Sequence, residues 1–511
     1  MTQIVIDNTS PLTIEQVNAI ALRESEVELS ECERYRDFFN SGREYLQEKY
    51  RHGESIYGVT TGYGESCQTS VPADELQNLT KNLRLFLGCG TGDNFSVEIC
   101  RAILVSRIRS LSNGVSGVRY ELLSRMVEFL KRDIIPVIPS QGTVGASGDL
   151  VPLSYIAAAL AGERDVYFNN EIKPSSDILK QCNLAPLTFE PKETLAIVNG
   201  TAVMTAVACI AYSRAQKIAH FSTIITAISS LALEGNIEHF DAQYFSYKPH
   251  PGQSDCAQAI RQLITESEIQ STKTRMQDRY SIRCAPHVIG VLNDALTWFR
   301  SPIEIELNSA NDNPLIDGEK RHIMHGGHFY GGHIAFCMDS LKTAVANIAD
   351  LADRQMALLI DTKFNNGLPA NLSGASGDSI ATCHGLKGLQ IAVSSLTSEA
   401  LKLTMPASVF SRSTECHNQD KVSLGTISAR DCLTIVELTE RVLACVLLAS
   451  VQALELRLRL KGQKLNETKG ELGSIVSTVR DKSDFLTVDR ELQRDINLIT
   501  SFFTKSNPQL P

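Results

Sequence analysis

Apolar residues recur at helical spacing over long stretches of the second part of the chain. Four stretches, 201–235, 333–361, 386–405 and 426–461, contain very few Pro or Gly and carry apolar residues around much of their circumference. Helices of that kind need neighbours on every side. The pattern therefore predicts a bundle of long helices that is completed by other copies of the chain.

The first 200 residues show shorter elements. Gln3 to Asp7 is strand-like, and Thr13 and Gln16 have the spacing of a capping box ahead of an apolar helical pattern. Helical spacing resumes over 31–50. Two hairpins are predicted, over 165–172 with a turn at Asn169-Asn170 and over 315–324 with a turn at Asp317-Gly318. We expect an all-α protein with a few short hairpins, divided into an N-terminal domain, 1–200, and a long-helix domain, 201–511.

Composition narrows the class of protein. The 511 residues are 43% hydrophobic, and the net charge of -9 comes from evenly mixed charges, which argues against a nucleic-acid partner. The 13 cysteines form no C-x-x-C pair and are interpreted as reduced thiols. The longest apolar runs, 218–233 and 442–451, are too polar or too short to cross a bilayer. Without a visible secretory signal, we expect a cytoplasmic protein with no membrane partner.

The Gly-rich loop 142–153 is the strongest candidate for chemistry. It places Gly142, Gly145 and Gly148 beside small residues between two prolines. From composition alone, the loop is a turn ahead of a helix capped by Asp149. Loops on a rigid scaffold are also where functional residues concentrate.

The loop resembles the signature of the aromatic amino acid ammonia-lyase family, which includes histidine, phenylalanine and tyrosine ammonia-lyases and aminomutases. Six further motifs follow the family's order and span nearly the whole chain. They are Tyr57 to Gly64, Val198 to Thr201, Gln277 to Arg283, Asn308 to Pro314, His325 to Phe329, and His417 to Asp420. The resemblance implies a fumarase/aspartase-like helical fold and a homotetramer whose active sites are shared between subunits.

The resemblance also implies a prosthetic group made from the chain itself. In the family, an Ala-Ser-Gly triplet cyclises to 4-methylideneimidazol-5-one (MIO), and here the triplet is Ala146-Ser147-Gly148. The Gly148 nitrogen would attack the Ala146 carbonyl, which requires a crowded backbone bend that bulky side chains would block. No diffusible cofactor is expected.

The family's mechanism assigns roles to other positions. Tyr57 matches the base that removes the β-proton, and its pKa would have to fall by about two or three units from ~10, with help from helix N-termini. Arg283 matches the residue that holds the substrate carboxylate, and one helical face could present it together with Tyr280 and Gln277. The resemblance places the remaining contacts to MIO or substrate at Asn199, Gln419, Phe329, Leu150 and Asn418.

The selectivity position is Phe86-Leu87, as in phenylalanine lyases. Apolar contact there would leave a substrate hydroxyl or imidazole unsatisfied, and Lys387, Ile391 and Glu415 match the same pattern. We therefore expect conversion of L-phenylalanine to trans-cinnamate and ammonia. Phenylalanine or tyrosine 2,3-aminomutase, tyrosine ammonia-lyase and a non-catalytic helical scaffold remain alternatives.

Several histidines depart from the family pattern or suggest another chemistry. His328 replaces the usual Asn before Phe329, and His287 replaces a frequent Gln. We expect these two changes to retune the site without abolishing activity. His322, His325, His328 and His333 crowd one segment, but no Cys or acidic pair accompanies them at ligand spacing, so no metal is expected.

Overall fold

The computed structural model describes residues 2–270 and 274–505. Most of these residues are helical, which confirms the predicted fold class. The helices are α1 (Ile14–Ala21), α2 (Glu33–Arg51), α3 (Leu76–Phe86), α4 (Val97–Leu111), α5 (Tyr120–Lys131), α6 (Leu150–Leu160), α7 (Ser175–Gln181), α8 (Glu193–Val198), α9 (Ala202–Ala232), α10 (Ala242–Ser246), α11 (Pro251–Glu266), α12 (Tyr280–Arg283), α13 (Ala285–Asn308), α14 (Gly332–Ile360), α15 (Lys387–Lys402), α16 (Gly425–Leu460), α17 (Gly470–Lys482) and α18 (Gln493–Lys505).

The four long helical predictions are confirmed by α9, α14, α15 and α16. The sequence pattern did not single out α13, which has 24 residues and contains Pro302 in its interior. A proline inside a helix removes one backbone donor and normally indicates a helix end. Here the helix continues through Pro302, although a proline at that position favours two separate elements in a sequence-based prediction.

The strands are short and lie in small separate sheets. They are β1 (Thr2–Ile6), β2 (Ser25–Leu29), β3 (Thr91–Asn94), β4 (Ile135–Pro136), β5 (Pro139–Gln141), β6 (Asp165–Phe168), β7 (Glu171–Pro174), β8 (Leu315–Asp317) and β9 (His322–Met324). β6 pairs with β7 and β8 with β9, both antiparallel, which confirms the two predicted hairpins. The predicted N-terminal strand is β1, and it pairs in parallel with β2.

Local signals explain several element boundaries. The Thr13 hydroxyl accepts a hydrogen bond from Gln16 N at 3.3 Å, and Gln16 Oε1 accepts one from Thr13 N at 3.0 Å, so the predicted capping box begins α1. Asn169 and Asn170 both have positive φ, 52° and 62°. Two such residues in succession make the tight turn between β6 and β7, because the backbone twist of that turn matches the twist of the strands.

The chain divides into two compact units, and each is discontinuous in sequence. The first unit contains Met1–Ser213, Arg300–Asp339 and Pro406–Arg430, and the second contains Arg214–Phe299, Ser340–Met405 and Asp431–Pro511. The division expected at residue 200 would have placed the two later segments of the first unit in the second domain. The difference matters because those segments carry residues of the candidate site.

Within the described part of the chain, no helix is both long and apolar enough to cross a membrane.

Candidate active site

A cavity of about 710 Å³ lies in the first unit. Its wall is formed by loops from sequence-distant parts of that unit, including the segment after α2, the end of α3, the Gly-rich loop before α6 and the loop 415–419. Residues predicted from sequence that line it are Tyr57, Phe86, Leu87, Ala146, Ser147, Gly148, Leu150, Asn199, Phe329, Glu415, Asn418 and Gln419.

Five predicted site residues do not line this cavity. They are Gln277, Tyr280, Arg283, Lys387 and Ile391, and all belong to the second unit. The expectation that one helical face presents the first three is wrong, because α12 comprises only Tyr280–Arg283 and Gln277 precedes it outside any helix. Arg283 instead places its guanidinium 4.7 Å from the centre of the Tyr280 ring.

The backbone around the Ala-Ser-Gly triplet is tightly enclosed. Gly148 has φ of +73°, and a Cβ at this position would overlap the carbonyl of Gly200. Gly145 has φ of +66°, and a Cβ there would lie 2.5 Å from Ser423 Oγ. Both positions therefore require glycine on conformational and steric grounds. The triplet and Gly145 beside it thus lie in a tightly enclosed backbone bend.

Two amide side chains contact the middle residue of the triplet. Asn199 Nδ2 donates to the Ser147 carbonyl oxygen at 2.8 Å, and Gln419 Nε2 donates to Ser147 Oγ at 3.2 Å. The Gln419 amide is oriented by the Thr414 hydroxyl, which donates to its Oε1 at 2.8 Å. Both oxygens of Ser147 therefore face fixed hydrogen-bond donors.

Asp149 does not cap the helix that follows it. Its side chain makes no capping bond to α6, and it accepts hydrogen bonds from Val203 N at 3.0 Å and Met204 N at 2.9 Å. These amides belong to the first turn of α9, and the Thr426 hydroxyl donates to the same carboxyl. The sequence-based interpretation of Asp149 as the cap of its own helix is wrong. The residue instead ties the triplet loop to α9 and to the start of α16.

Tyr57 lies in the loop that follows α2, and its side chain contacts the backbone of the same loop. The Tyr57 hydroxyl oxygen accepts a hydrogen bond from Gly64 N at 3.0 Å. Burial raises the pKa of Tyr57 and the nearby Glu415 carboxylate adds to the rise, while the Gly64 amide opposes it. The expected fall of this pKa below 10 is therefore not found in the single chain, because desolvation outweighs the one donor.

The loop that carries Glu415 is conformationally strained. Glu415, Cys416 and His417 have φ of 53°, 52° and 68°. A left-handed conformation costs about 1–2 kcal/mol for each non-glycine residue, and such strain tends to persist at functional sites. The turn is closed by Thr414 pairing with Gln419, and Asn418 Nδ2 donates to Glu415 Oε2 at 3.2 Å. A carboxylate is thereby held at the cavity wall.

A match to a known family covers most of the chain, including the residues that line this cavity. The family model described as "Aromatic amino acid lyase" matches residues 12–477. The chain belongs to the aromatic amino acid lyase family. The carbon-nitrogen lyase class expected from the motifs is thereby confirmed.

Several bacterial relatives match this lyase over most of the chain. It is 34% identical over 499 residues to a histidine ammonia-lyase of Caldanaerobacter subterraneus subsp. tengcongensis, covering 97% of this chain and 96% of the relative. It is 39% identical over 406 residues to that of Bacillus velezensis, covering 79% and 78%. The solved tyrosine aminomutase from Streptomyces globisporus superposes with a TM-score of 0.91 at 31% identity, covering 99% of this chain and 97% of that one.

The assignment of this lyase to L-phenylalanine is wrong. The curated relatives with 34% and 39% identity are histidine ammonia-lyases, so closeness to phenylalanine lyases is not supported. The structure also weakens the physical reason for that assignment. Phe86 is 61% exposed in the chain, and the same cavity carries the polar side chains of Glu415 and Asn418. The sequence-based argument took the apolar pair Phe86-Leu87 as decisive and counted Glu415 toward the phenylalanine pattern, although its carboxylate is a polar partner at the cavity wall.

Some residues that line the cavity of the lyase were not assigned a catalytic or substrate-binding role from sequence. Tyr63, Cys67, Leu195, Asn313 and His325 line the wall. Tyr63, Asn313 and His325 fall inside motifs that carried the resemblance. Those motifs were used to recognise the family, and no site role was derived for these three residues. Cys67 and Leu195 lie outside those motifs. Among residues 2–270 and 274–505, no three His, Cys, Asp or Glu side chains converge as metal ligands would.

Proposed function

We propose that this lyase eliminates ammonia from an aromatic L-amino acid without oxidation, using MIO formed from Ala146-Ser147-Gly148. The observation that carries the proposal is the pair of amide donors on Ser147. Asn199 faces the oxygen that would become the ring carbonyl, and Gln419 faces the hydroxyl that would leave. Because Gly148 has no Cβ, its backbone can lie close to the Gly200 carbonyl, and the bend at the triplet is sterically allowed. These residues fit the group.

The group would supply an electrophile that no ordinary side chain provides. The chain's own residues would do the remaining work. Asn199 donates to the Ser147 carbonyl oxygen, so it would stabilise negative charge that develops there. Tyr57 would accept the β-proton at its hydroxyl oxygen, and the Gly64 amide at 3.0 Å would stabilise the ionised form. Leu87 and Phe329 line the cavity and would exclude water from the reacting atoms.

L-Histidine is the substrate that we propose. Its imidazole needs a polar partner within the cavity, since an unsatisfied donor is strongly disfavoured. Glu415 provides a carboxylate at the cavity wall, held by Asn418. The similarity to histidine ammonia-lyases supports the same choice.

A comparison of substrates tests this proposal. We expect purified protein given L-His, L-Phe or L-Tyr to release ammonia and an acrylate fastest from L-His, as followed by near-ultraviolet absorbance. In E415Q the ratio of kcat/KM for L-His to that for L-Phe should fall by roughly tenfold, the effect of one charge-assisted hydrogen bond. Since both substrates share the other residues, the ratio isolates the imidazole contact. Faster turnover of L-Phe or L-Tyr, or an unchanged ratio, would refute L-His as the substrate.

We also propose that the chain acts as a homotetramer in which other copies complete each cavity. Tyr280 is 72% exposed, and among the residues that the structure describes the buried Nε of Arg283 has no hydrogen-bond partner. A guanidinium poised in this way is suited to a carboxylate. We infer that Arg283 and Tyr280, with Gln277, Lys387 and Ile391, serve a cavity of a neighbouring copy.

Mixing two inactive variants tests the shared cavity. S147A and R283K should each be inactive when expressed alone, because each lacks one required group. Co-expressed chains should regain activity in up to about a quarter of cavities under random assembly, because some cavities then draw an intact triplet and an intact Arg283 from different copies. Sedimentation would report the tetramer. A fully active monomer, or co-expressed chains with no gain, would contradict the arrangement.

A further inference from the structure

Arg107 is a fully buried cation on α4, with 0% of its surface exposed. Its guanidinium donates to backbone carbonyls and neutral side chains. Nη2 donates to the Asn199 carbonyl at 2.9 Å and to the Ala196 carbonyl, and Nη1 donates to Asn311 Oδ1 at 3.0 Å and Ser110 Oγ at 3.3 Å. Burying a charge is unfavourable unless hydrogen bonds or nearby opposite charges offset its lost hydration.

These contacts lie directly behind the wall that holds the triplet. A Cβ at Gly200 would overlap Arg107 Nη1 and lie 2.6 Å from Asn311 Oδ1, so the guanidinium packs against the backbone there. On its other side, Gly200 forms a parallel bridge with Gly148, and its carbonyl accepts Asp149 N at 2.8 Å. The Gly200 backbone therefore packs against Arg107 on one side and against Gly148 of the triplet on the other.

Asn199 is held by the same contact. Arg107 fixes the Asn199 carbonyl, while the Asn199 side chain donates to the Ser147 carbonyl at 2.8 Å. Burial lowers the pKa of Arg107 to about 10, and the carboxylates of Asp312 and Asp149 oppose that fall. The guanidinium thus stays protonated at neutral pH and keeps all its donors.

We infer that Arg107 is a positioning residue for cyclisation of Ala146-Ser147-Gly148. By fixing Ala196 to Gly200 from behind, it holds Gly148 in its bend and aims the Asn199 amide at Ser147. The chemical step is the ring closure that the proposed function requires. In it, Gly148 N bonds to the Ala146 carbonyl carbon and two waters leave. The inference therefore depends on that function.

The same helix supplies matched controls. Arg101 and Arg109 are also on α4 and are 6% and 4% exposed. Arg101 donates to the Ile20 and Leu130 carbonyls and to Asp133, and Arg109 donates to Asn308 and the Asp7 carbonyl. Neither has a hydrogen bond to the segment Ala196 to Gly200. Both therefore report the general effect of changing a buried arginine of α4.

The experiment compares R107K with R101K and R109K by intact mass and thermal unfolding. Lysine keeps the charge but replaces by a single ammonium nitrogen the planar fork whose two nitrogens reach Asn199 and Asn311. We expect wild type, R101K and R109K to lack two waters in nearly all chains, and R107K to lack them in at least tenfold fewer, with a comparable Tm. If R107K does not fold, N311L removes one acceptor of the same guanidinium at similar volume and should give an intermediate fraction.

The outcomes separate this inference from the proposed function. If R107K, or N311L in its place, is cyclised as fully as the controls, Arg107 does not position the triplet, although the function stands. If R101K and R109K lose cyclisation as strongly as R107K, the effect is general to buried arginines of α4 and the inference fails. A wild-type chain that keeps both waters overturns the function and the inference together.

Discussion

Replacing Ser147 by alanine should reduce turnover by roughly a thousandfold or more, the scale of losing a group on which the reaction depends. Alanine has no hydroxyl to lose, so the exocyclic methylidene could not form, while within the described part of the chain the one hydrogen bond removed is that from Gln419 at 3.2 Å. Initial rates of acrylate formation, corrected for protein concentration, measure the effect.

Ser175 offers a matched control for that substitution. It is fully buried, its hydroxyl donates to the Ala159 carbonyl at 2.7 Å, and it is not among the residues that line the cavity. S175A should lower the free energy of unfolding by about 1 kcal/mol and leave turnover near wild type. If S147A kept substantial turnover, the reaction would not depend on MIO.

Replacing Tyr57 by phenylalanine should lower kcat by ~10²–10⁴, the usual contribution of a positioned general base. The fold should survive, because between described residues the substitution removes just the hydrogen bond from Gly64 at 3.0 Å. Y35F is the control, since Tyr35 is buried at 5% exposure and its hydroxyl donates to Ser112 O at 3.0 Å. Y35F should keep the wild-type rate. Equal rates in Y57F and wild type would remove Tyr57 from the mechanism.

The pH dependence of the wild type follows from the same residue. Burial and Glu415 raise the pKa of Tyr57, so the ionised base is a minor species at neutral pH. Its fraction grows about tenfold per pH unit below the pKa, and kcat/KM should therefore rise from neutral to alkaline pH. In E415Q a negative charge is gone, the pKa falls, and the rising limb should move to lower pH. A limb that stays in place would show that another group titrates.

Signals within a few residues of one another predicted structure well. The Thr13 and Gln16 pair formed its capping box, and Asn169-Asn170 formed its turn, because each depends on neighbours in sequence. Cavity residues such as Tyr57, Ser147 and Gln419 could be identified because they sit in motifs that resemble a family. Their roles stay predictions until the variants above are measured.

Features set by distant partners could not be predicted. Asp149 turned from its own helix to amides at Val203 and Met204, more than 50 residues away. The sequence around Arg107 gives no local signal of its role, since its hydrogen bonds are to Asn199 and Asn311, which are distant in sequence. The pKa of Tyr57 rose because of burial and Glu415, and neither is visible from a tyrosine beside a glycine.

Intact-mass spectrometry of the purified wild-type chain tests the central claim most directly. Closure of Ala146-Ser147-Gly148 removes two waters, so the chain should weigh two water masses less than its sequence of 511 residues predicts, and a peptide containing the triplet should carry the whole deficit. A wild-type chain at its full, uncyclised mass would contradict the claim.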